Sequence, residues 1–110
     1  MTTHFPFAVG FGLLCAALAI PTAVCAQDAS SQLHQRANAA MCANCHGSEG
    51  RTVKDSTVPS IAGLPRDYMV QQMQAFKEGT RSATIMHQIA KGLTEAQINS
   101  LADYFAAQSR

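Results

Sequence analysis

The sequence has little charge, and neither sign forms a long run. Its 110 residues include eight Lys and Arg and seven Asp and Glu, which leaves a formal net charge of +1. A nucleic-acid-binding surface needs a basic stripe, and the sequence contains none. It also contains no acidic tail. The composition therefore predicts no nucleic-acid partner.

The first part of the chain lacks charged side chains altogether. No Lys, Arg, Asp or Glu occurs from Phe5 to Ala26, a stretch rich in Phe, Leu, Ala and Val. This run resembles a secretory signal peptide, so we expect residues 1–26 to be cleaved off and residues 27–110 to form one mature, periplasmic domain. Pro6, Pro21 and several glycines interrupt the run, so we expect no stable membrane insertion after cleavage.

Cysteine is scarce as well. Of the four cysteines in the sequence, Cys15 and Cys25 would leave with the signal peptide. An uncleaved anchor remains an alternative, and a lipoprotein is less favoured because bulky Leu14 and Val24 precede these two cysteines. The mature chain would keep only one pair of cysteines. A small domain without a structural disulfide needs another source of stability.

That remaining pair lies in the motif Cys42-Ala43-Asn44-Cys45-His46. Residues at i and i+3 are neighbours on a helix, so both thiols can lie on one face. This spacing allows two thioether bonds to the vinyl groups on one edge of a haem, and His46 then projects towards the iron. C-x-x-C followed directly by His is the attachment pattern for c-type haem. The motif predicts one covalent haem c.

Three other interpretations of the motif are weaker. A structural zinc site needs four ligands, and His34 and His87 lie far away in opposite directions. A thioredoxin-like redox pair needs a βαβ neighbourhood, and the sequence has no convincing strands. A plain disulfide would leave His46 without a role. We rank a disulfide or redox pair second and zinc last.

The mature sequence predicts an all-α domain. Residues 47–65 are rich in Gly and Pro and predict an irregular segment. The final helix has a capping box at Thr94 and Gln97, with Leu93 and Ile98 as its hydrophobic staple. Hydrophobic spacing and helix-ending glycines predict three earlier helices, namely Ser30–Met41, Arg66–Glu78 and Ala83–Lys91.

Several motifs along the chain together resemble a class I c-type cytochrome of the c553/c4-like group. The segment Thr84–Gly92 is also similar to the haem subunit of flavocytochrome c sulfide dehydrogenase. The resemblance implies a cytochrome c fold, a single small domain of four to five helices wrapped around one covalently bound haem. The motifs behind it are Cys42-x-x-Cys45-His46-Gly47, Pro59-Ser60-Ile61-Ala62-Gly63, Phe76-Lys77-x-Gly79, Ile85-Met86 and an alanine-rich last helix.

The resemblance also implies His and Met as the two axial ligands of the iron. Met86 matches the ligand methionine of the family, and it lies far enough beyond His46 for the chain to pass around the haem. His87 is its competitor. Four other residues are weaker candidates because of their position or their place on a helix stripe, where methionine usually fills the core. They are Met41, Met69, Met73 and His34.

A ligating histidine generally donates its second ring N–H to a fixed acceptor. The resemblance implies that the backbone carbonyl of Pro59 is this acceptor for His46. Basic side chains are more often ordinary surface charges, although some could neutralise haem propionates or guide docking. The candidates are Arg51, Lys54, Arg66, Lys77, Arg81 and Lys91.

Three functions are compatible with the sequence. The first is a periplasmic monohaem electron carrier with redox-protein partners. The second places the chain as the haem subunit of a flavoprotein sulfide dehydrogenase. The third is a haem enzyme or sensor with an open iron position, which Met86 disfavours because Met ligation would fill that position. The domain itself is expected to contain no catalytic residue.

Overall fold

The computed structural model describes residues 1–2 and 21–110. Over these residues the chain forms four α-helices and a short 3-10 turn, Ser48–Gly50, and no strand. The prediction of an all-α domain is confirmed. None of the helices within this described part is both long and apolar enough to cross a membrane. The helices are α1 Pro21–His46, α2 Arg66–Glu78, α3 Met86–Lys91 and α4 Glu95–Ala106.

Helix α1 is longer than the sequence predicted. It spans Pro21–His46 rather than Ser30–Met41, and it includes the whole cysteine motif. Neither Gly nor Pro occurs between Pro21 and Gly47, and proline itself is well tolerated in the first turn of a helix. The predicted cleavage point after Ala26 falls within α1. Most of the predicted signal peptide, residues 3–20, lies outside the described residues.

The next two helices differ in how well the sequence predicted their bounds. Helix α2 has the predicted range, and Gly79 ends it in the left-handed conformation with a φ of 80°. Helix α3 begins at Met86 instead of the predicted Ala83. The carbonyl oxygen of Ile85 accepts the N–H groups of Gln88 and Ile89 at 2.9 and 3.2 Å, so the first turn starts there. Preceding β-branched residues disfavour an earlier start.

Helix α4 begins with the predicted capping box. The Thr94 N–H donates to Oε1 of Gln97 at 2.9 Å, and the Gln97 N–H donates to the Thr94 hydroxyl at 3.2 Å. Leu93 and Ile98 are both buried in the same core cluster, as expected for the hydrophobic staple. The capping box satisfies the backbone N–H groups of Thr94 and Gln97, and the staple sets the direction of the chain that enters α4.

The core lies where α4 packs against α1 and α2. Ala39 contributes from α1, Met69 from α2, and Leu101, Ala102 and Phe105 from α4. A polar contact also joins α2 to α4 at the surface. The Arg66 guanidinium at the start of α2 donates to Asp103 of α4 at 2.5 Å. The packing holds the C-terminal turns of α1, which include the cysteine motif, against the core that α1 forms with α2 and α4.

Candidate functional site

The cysteine motif occupies the last turns of α1, and its three functional side chains differ in exposure. Cys42 is half-buried and packs against the core cluster, whereas Cys45 is exposed. The His46 side chain is buried, with 9% of its surface exposed. An exposed cleft of about 570 Å³ borders Cys45 and is lined by residues of the segment 43–56, without His46 or Met86.

The ring of His46 has a defined orientation. Its Nδ1 atom lies 2.7 Å from the carbonyl oxygen of Pro59. A carbonyl oxygen can only accept, so the hydrogen bond requires the proton to be on Nδ1. The neutral imidazole then has its free lone pair on Nε2, as a metal-ligating histidine requires. This geometry suits the predicted roles of His46 and Pro59, which remain predictions.

The loop after Pro59 is anchored on a single backbone carbonyl. The oxygen of Gly50 accepts three hydrogen bonds, from the N–H groups of Ile61 and Ala62 at 2.8 and 3.1 Å and from the Ser60 hydroxyl at 2.8 Å. The three donors are residues 60–62, which follow Pro59 directly in the chain. They fix the position of the Pro59 carbonyl beside the His46 ring.

The other end of this loop is tied to α4 and the C-terminus. The Gly63 N–H donates to the carbonyl of Phe105 at 2.8 Å. Arg110 donates in turn to the carbonyl of Gly63 at 3.1 Å, and Arg51 donates to the carbonyl of Ser109 at 3.4 Å. The segment between α1 and α2 is therefore irregular in shape but extensively bonded.

Gly47 turns the chain immediately after His46. Its φ is 78°, and a Cβ atom at this position would lie 1.8 Å from the backbone oxygen of Arg51. No L-residue can be accommodated there without moving the backbone. Only glycine allows α1 to end directly after the motif and the loop to return towards His46.

The thiol of Cys42 is half-buried beside the core cluster. Burial raises the pKa of the Cys42 thiol, and the nearby Cys45 raises it further. A thioether has no charge to desolvate, so a covalent bond through this sulfur is compatible with its burial. The site therefore fits a neutral, covalently bonded sulfur better than a thiolate.

The two strongest candidates for the second axial ligand are adjacent. Met86 is the first residue of α3, His87 is the second, and both are half-buried. They follow the segment 79–85, which links α2 to α3. Their positions in α3 favour neither residue as the axial ligand, so the assignment of Met86 remains a prediction.

The weaker candidates lie elsewhere in the fold. Met69 is buried in the core cluster and Met73 packs against it, which confirms the prediction that both fill the core. Met41 is 58% exposed on α1, and His34 is exposed on the same helix. None of these four residues shares a helix with Met86.

Some structurally important residues were not identified from the sequence. Lys77 was considered for partner docking, but its ammonium group donates to the carbonyl of Leu93 at 2.7 Å and to Glu95 at 3.0 Å. Arg81 stacks on the ring of Phe76, with 4.5 Å between the guanidinium carbon and the ring centroid. Neither contact has a sequence pattern that predicts it. The Lys77 contacts depend on how α2 packs against the start of α4, and the Arg81 contact depends on how the chain turns back on α2 after Gly79.

A helical fold and a C-x-x-C-H motif with an oriented histidine together define a c-type cytochrome. The family model for cytochrome c matches residues 34–109. The chain belongs to the cytochrome c family and is an electron carrier. Its cofactor is covalently bound haem c, and Cys42 and Cys45 are the cysteine pair available for the attachment.

The chain is similar to several bacterial cytochromes. It is 39% identical over 69 residues to the cytochrome subunit of sulfide dehydrogenase of Chlorobaculum tepidum, covering 63% of this chain and 61% of that protein. It is 38% identical over 68 residues to the thiosulfate dehydrogenase electron acceptor of Thiomonas intermedia, covering 62% of this chain and 31% of that protein. The chain thus spans less than two thirds of the length of these relatives.

A solved structure supports the fold. The cytochrome c4 of Acidithiobacillus ferrooxidans is 41% identical and superposes with a TM-score of 0.56, covering 60% of this chain and 37% of that one. The shared region confirms the predicted cytochrome c fold. The similarity to cytochrome c4 is also in agreement with the c553/c4-like group expected from the motifs.

Proposed function

We propose that this chain is a periplasmic cytochrome that transfers single electrons as the haem subunit of a flavoprotein sulfide dehydrogenase. In this proposal Cys42 and Cys45 form the thioether bonds, and His46 and Met86 are the axial ligands of the iron. Pro59 fixes the tautomer of His46. When bound, haem c supplies one-electron redox chemistry.

The observation that best supports the electron-transfer site is the 2.7 Å contact between Nδ1 of His46 and the Pro59 carbonyl. The contact leaves Nε2 available, and it acts on a histidine that follows directly after the cysteine pair. A ring held in one orientation would offer the iron the same nitrogen in both oxidation states. This is what an electron carrier requires, because little reorganisation then accompanies the transfer.

Met86 is proposed as the other ligand for chemical reasons. A thioether sulfur favours ferrous iron, so Met/His ligation gives a higher reduction potential than two histidines would. A side chain on each face also leaves no open position for a substrate. The same argument disfavours a peroxidase or a gas sensor. His87 is the competing ligand.

Export is part of the proposal. The uncharged stretch before Gln27 suits a signal peptide cleaved near Ala26, with residues 27–110 as the mature cytochrome domain. In the periplasm such a cytochrome would meet its redox partners, without a stable membrane anchor of its own.

The similarity to the cytochrome subunit of sulfide dehydrogenase supports the particular role, at 39% identity and with 61% of that protein covered. The segment Thr84–Gly92 adds the resemblance noted from the sequence. In this role sulfide would be oxidised at the flavin of the partner subunit. The chain described here would accept the electrons and pass them onward.

A freely diffusing carrier is the second candidate. The identity to the thiosulfate dehydrogenase electron acceptor is 38%, close to the value for the sulfide dehydrogenase subunit. The similarity to cytochrome c4 also fits a c553/c4-like carrier. The two candidates share the same haem site and differ only in the partner.

Replacement of Met86 tests the ligand assignment. We expect Met86→Ala to abolish the weak red absorption band of the ferric protein, which depends on a methionine sulfur bonded to the iron. His87→Ala is the matched control, because His87 is next to Met86 and equally half-buried. A band that survives in Met86→Ala, or disappears in His87→Ala, would show that the assignment is wrong.

Purification from the native cell tests the role of the chain. We expect the chain to co-purify from periplasm with a flavin-containing subunit, and sulfide to reduce its haem in that complex. If the haem protein elutes as a monomer without flavin and is not reduced by sulfide, the free carrier is the correct function. The mass of the purified chain would also give the cleavage point and the number of covalent haems.

A further inference from the structure

The segment 79–85 leads from α2 to Met86, and its hydrogen bonds to α2 come from residues 79–81. The Gly79 N–H donates to the carbonyl of Phe76 at 3.3 Å, and the Arg81 N–H donates to the carbonyl of Ala75 at 3.1 Å. The Thr80 hydroxyl donates to the same Ala75 carbonyl at 3.2 Å. No backbone hydrogen bond holds residues 82–84 among the described residues.

Arg81 makes two further side-chain contacts between this segment and α2. Its guanidinium carbon lies 4.5 Å above the centre of the Phe76 ring. The same guanidinium donates to the side-chain oxygen of Gln72, one helical turn before Phe76. Phe76 is itself buried, with 9% of its surface exposed. Arg81 is therefore attached to a rigid part of α2 although it lies at the surface.

We propose that Arg81 is a positioning residue that keeps Met86 in place as axial ligand, by fastening the segment 79–85 to α2 through Phe76 and Gln72. The proposal rests on the proposed role of Met86. Arg81 acts through the backbone that leads to Met86 and makes no contact with the haem in this role.

The physical reason is a local opening equilibrium. An external ligand can replace Met86 only when the segment that holds Met86 moves away. The apparent affinity for that ligand equals its affinity for the open form multiplied by the fraction of molecules that are open. Contacts that exist only in the closed state lower this fraction, so their removal strengthens the apparent binding. Arg81 contacts residues of α2 that stay in place when the segment moves.

Imidazole binding to the ferric holoprotein at neutral pH measures this equilibrium. We expect Arg81→Ala to strengthen the apparent binding of imidazole about two- to fivefold, the size of one exposed cation–π contact. Arg81→Lys should give a smaller change. It keeps the charge, but it loses the planar group that stacks on Phe76 and bonds to Gln72.

Arg66→Ala is the matched control. Arg66 is also a surface arginine, but it lies at the start of α2, and apart from its neighbour Asp67 its partners Asp103 and Asn99 lie on α4. Those contacts do not change when the segment 79–85 moves. We expect imidazole affinity in Arg66→Ala to stay within about 1.5-fold of the parent.

Four outcomes would overturn the proposal. These are an unchanged affinity in Arg81→Ala, equal changes in Arg81→Ala and Arg66→Ala, a shift of reduction potential without a change in affinity, and unchanged hydrogen exchange of the residue-81 amide, which donates to the Ala75 carbonyl. The first two exclude a local role, and the third indicates an effect of charge. If Arg81→Ala does not fold, imidazole binding and hydrogen exchange of Arg81→Lys decide the matter.

The spectrum of Met86→Ala separates this inference from the proposed function. If that variant keeps the red absorption band, Met86 is not the ligand and the site assignment itself is wrong. If the band is lost there but Arg81→Ala has no effect on imidazole binding, the ligand assignment stands and only the positioning role of Arg81 fails.

Discussion

His46 and Met86 lie in two regions that the fold holds by different kinds of contact. Around His46, main-chain groups make most of the bonds. The Pro59 carbonyl meets the histidine ring at 2.7 Å, and the Gly50 carbonyl accepts three hydrogen bonds from the residues after Pro59. Before Met86, main-chain bonds hold only the two ends of the segment 79–85, and the side chain of Arg81 adds a stacking contact with Phe76.

This difference predicts different stability for the two regions. Backbone bonds in a closely packed loop break only if several neighbours move together. An exposed side-chain contact contributes little and can break alone. We therefore expect the region of Met86 to open more often than the region of His46. Under the ligand assignment proposed above, this comparison would explain how one small domain combines a firmly held histidine with a more exchangeable methionine.

The largest effect is expected from Gly47→Ala, which disrupts the turn after His46. A Cβ atom would lie 1.8 Å from the oxygen of Arg51 at a φ of 78°, so we expect a loss of about 3 kcal/mol or more in the free energy of unfolding. Urea unfolding of the holoprotein, followed by circular dichroism, measures it.

Gly79→Ala is the control for this variant, because Gly79 has nearly the same φ, 80°, but open space where the Cβ atom would be. We expect a loss of only about 1 kcal/mol from the backbone conformation. Equal losses in the two variants would mean that the close approach to Arg51 is unimportant. The region around His46 would then be no more rigid than the region that begins at Gly79.

A moderate effect is expected from Thr94→Ala, which removes the capping box at the start of α4. The Thr94 hydroxyl accepts the Gln97 N–H at 3.2 Å, so its loss should cost about 1 kcal/mol. Urea unfolding again gives the value. Thr94→Ser keeps the hydroxyl and should lie close to the parent. A Thr94→Ser variant as unstable as Thr94→Ala would mean that the cap is not responsible.

The smallest effect is a pH dependence from Glu95. Hydrogen bonds from Lys77 and from Gln74 hold the pKa of the Glu95 carboxyl below its ordinary value of 4.5. A carboxyl with a lowered pKa binds fewer protons in the folded than in the unfolded state. Its contribution to stability is therefore present above pH 4.5 and is lost as the pH falls through the folded pKa.

We expect Glu95→Gln to reduce the loss of stability that acidification causes below pH 4.5, by a small amount because the pair is exposed. Urea unfolding at several pH values between about 6 and 3 measures this slope. Glu78→Gln is the matched control, since Glu78 is a surface carboxylate that forms no ion pair among the described residues. The same change of slope in both variants would rule out a specific role for the contact between Lys77 and Glu95.

Local patterns predicted the helices well where the signals were chemical. Thr94 and Gln97 identified the start of α4, and Gly79 identified the end of α2, because caps depend on residues that are neighbours in the chain. The beginning of α3 was misplaced by comparison. Hydrophobic spacing continued back to Ala83, but the first helical hydrogen bonds are accepted by Ile85.

The candidate site divides in the same way. The motif from Cys42 to His46 indicated haem attachment by its spacing alone, since the chemistry of two thioethers and one imidazole acts within a single helical turn. A proline at position 59 is visible in the sequence, yet only the folded loop brings its carbonyl oxygen to 2.7 Å from Nδ1 of His46. The bonds to the Gly50 carbonyl that fix it were not predicted.

The amino-acid sequence by itself determined the class of fold, the covalent haem c and the residues that can attach it, because these follow from short-range spacing and residue chemistry. The tertiary structure decided that the Pro59 carbonyl lies against the His46 ring, that three bonds to Gly50 hold the loop there, and that Lys77 and Arg81 bond within the molecule. These contacts depend on how the chain folds back on itself after α1 and after α2, and on how α2 packs against the start of α4.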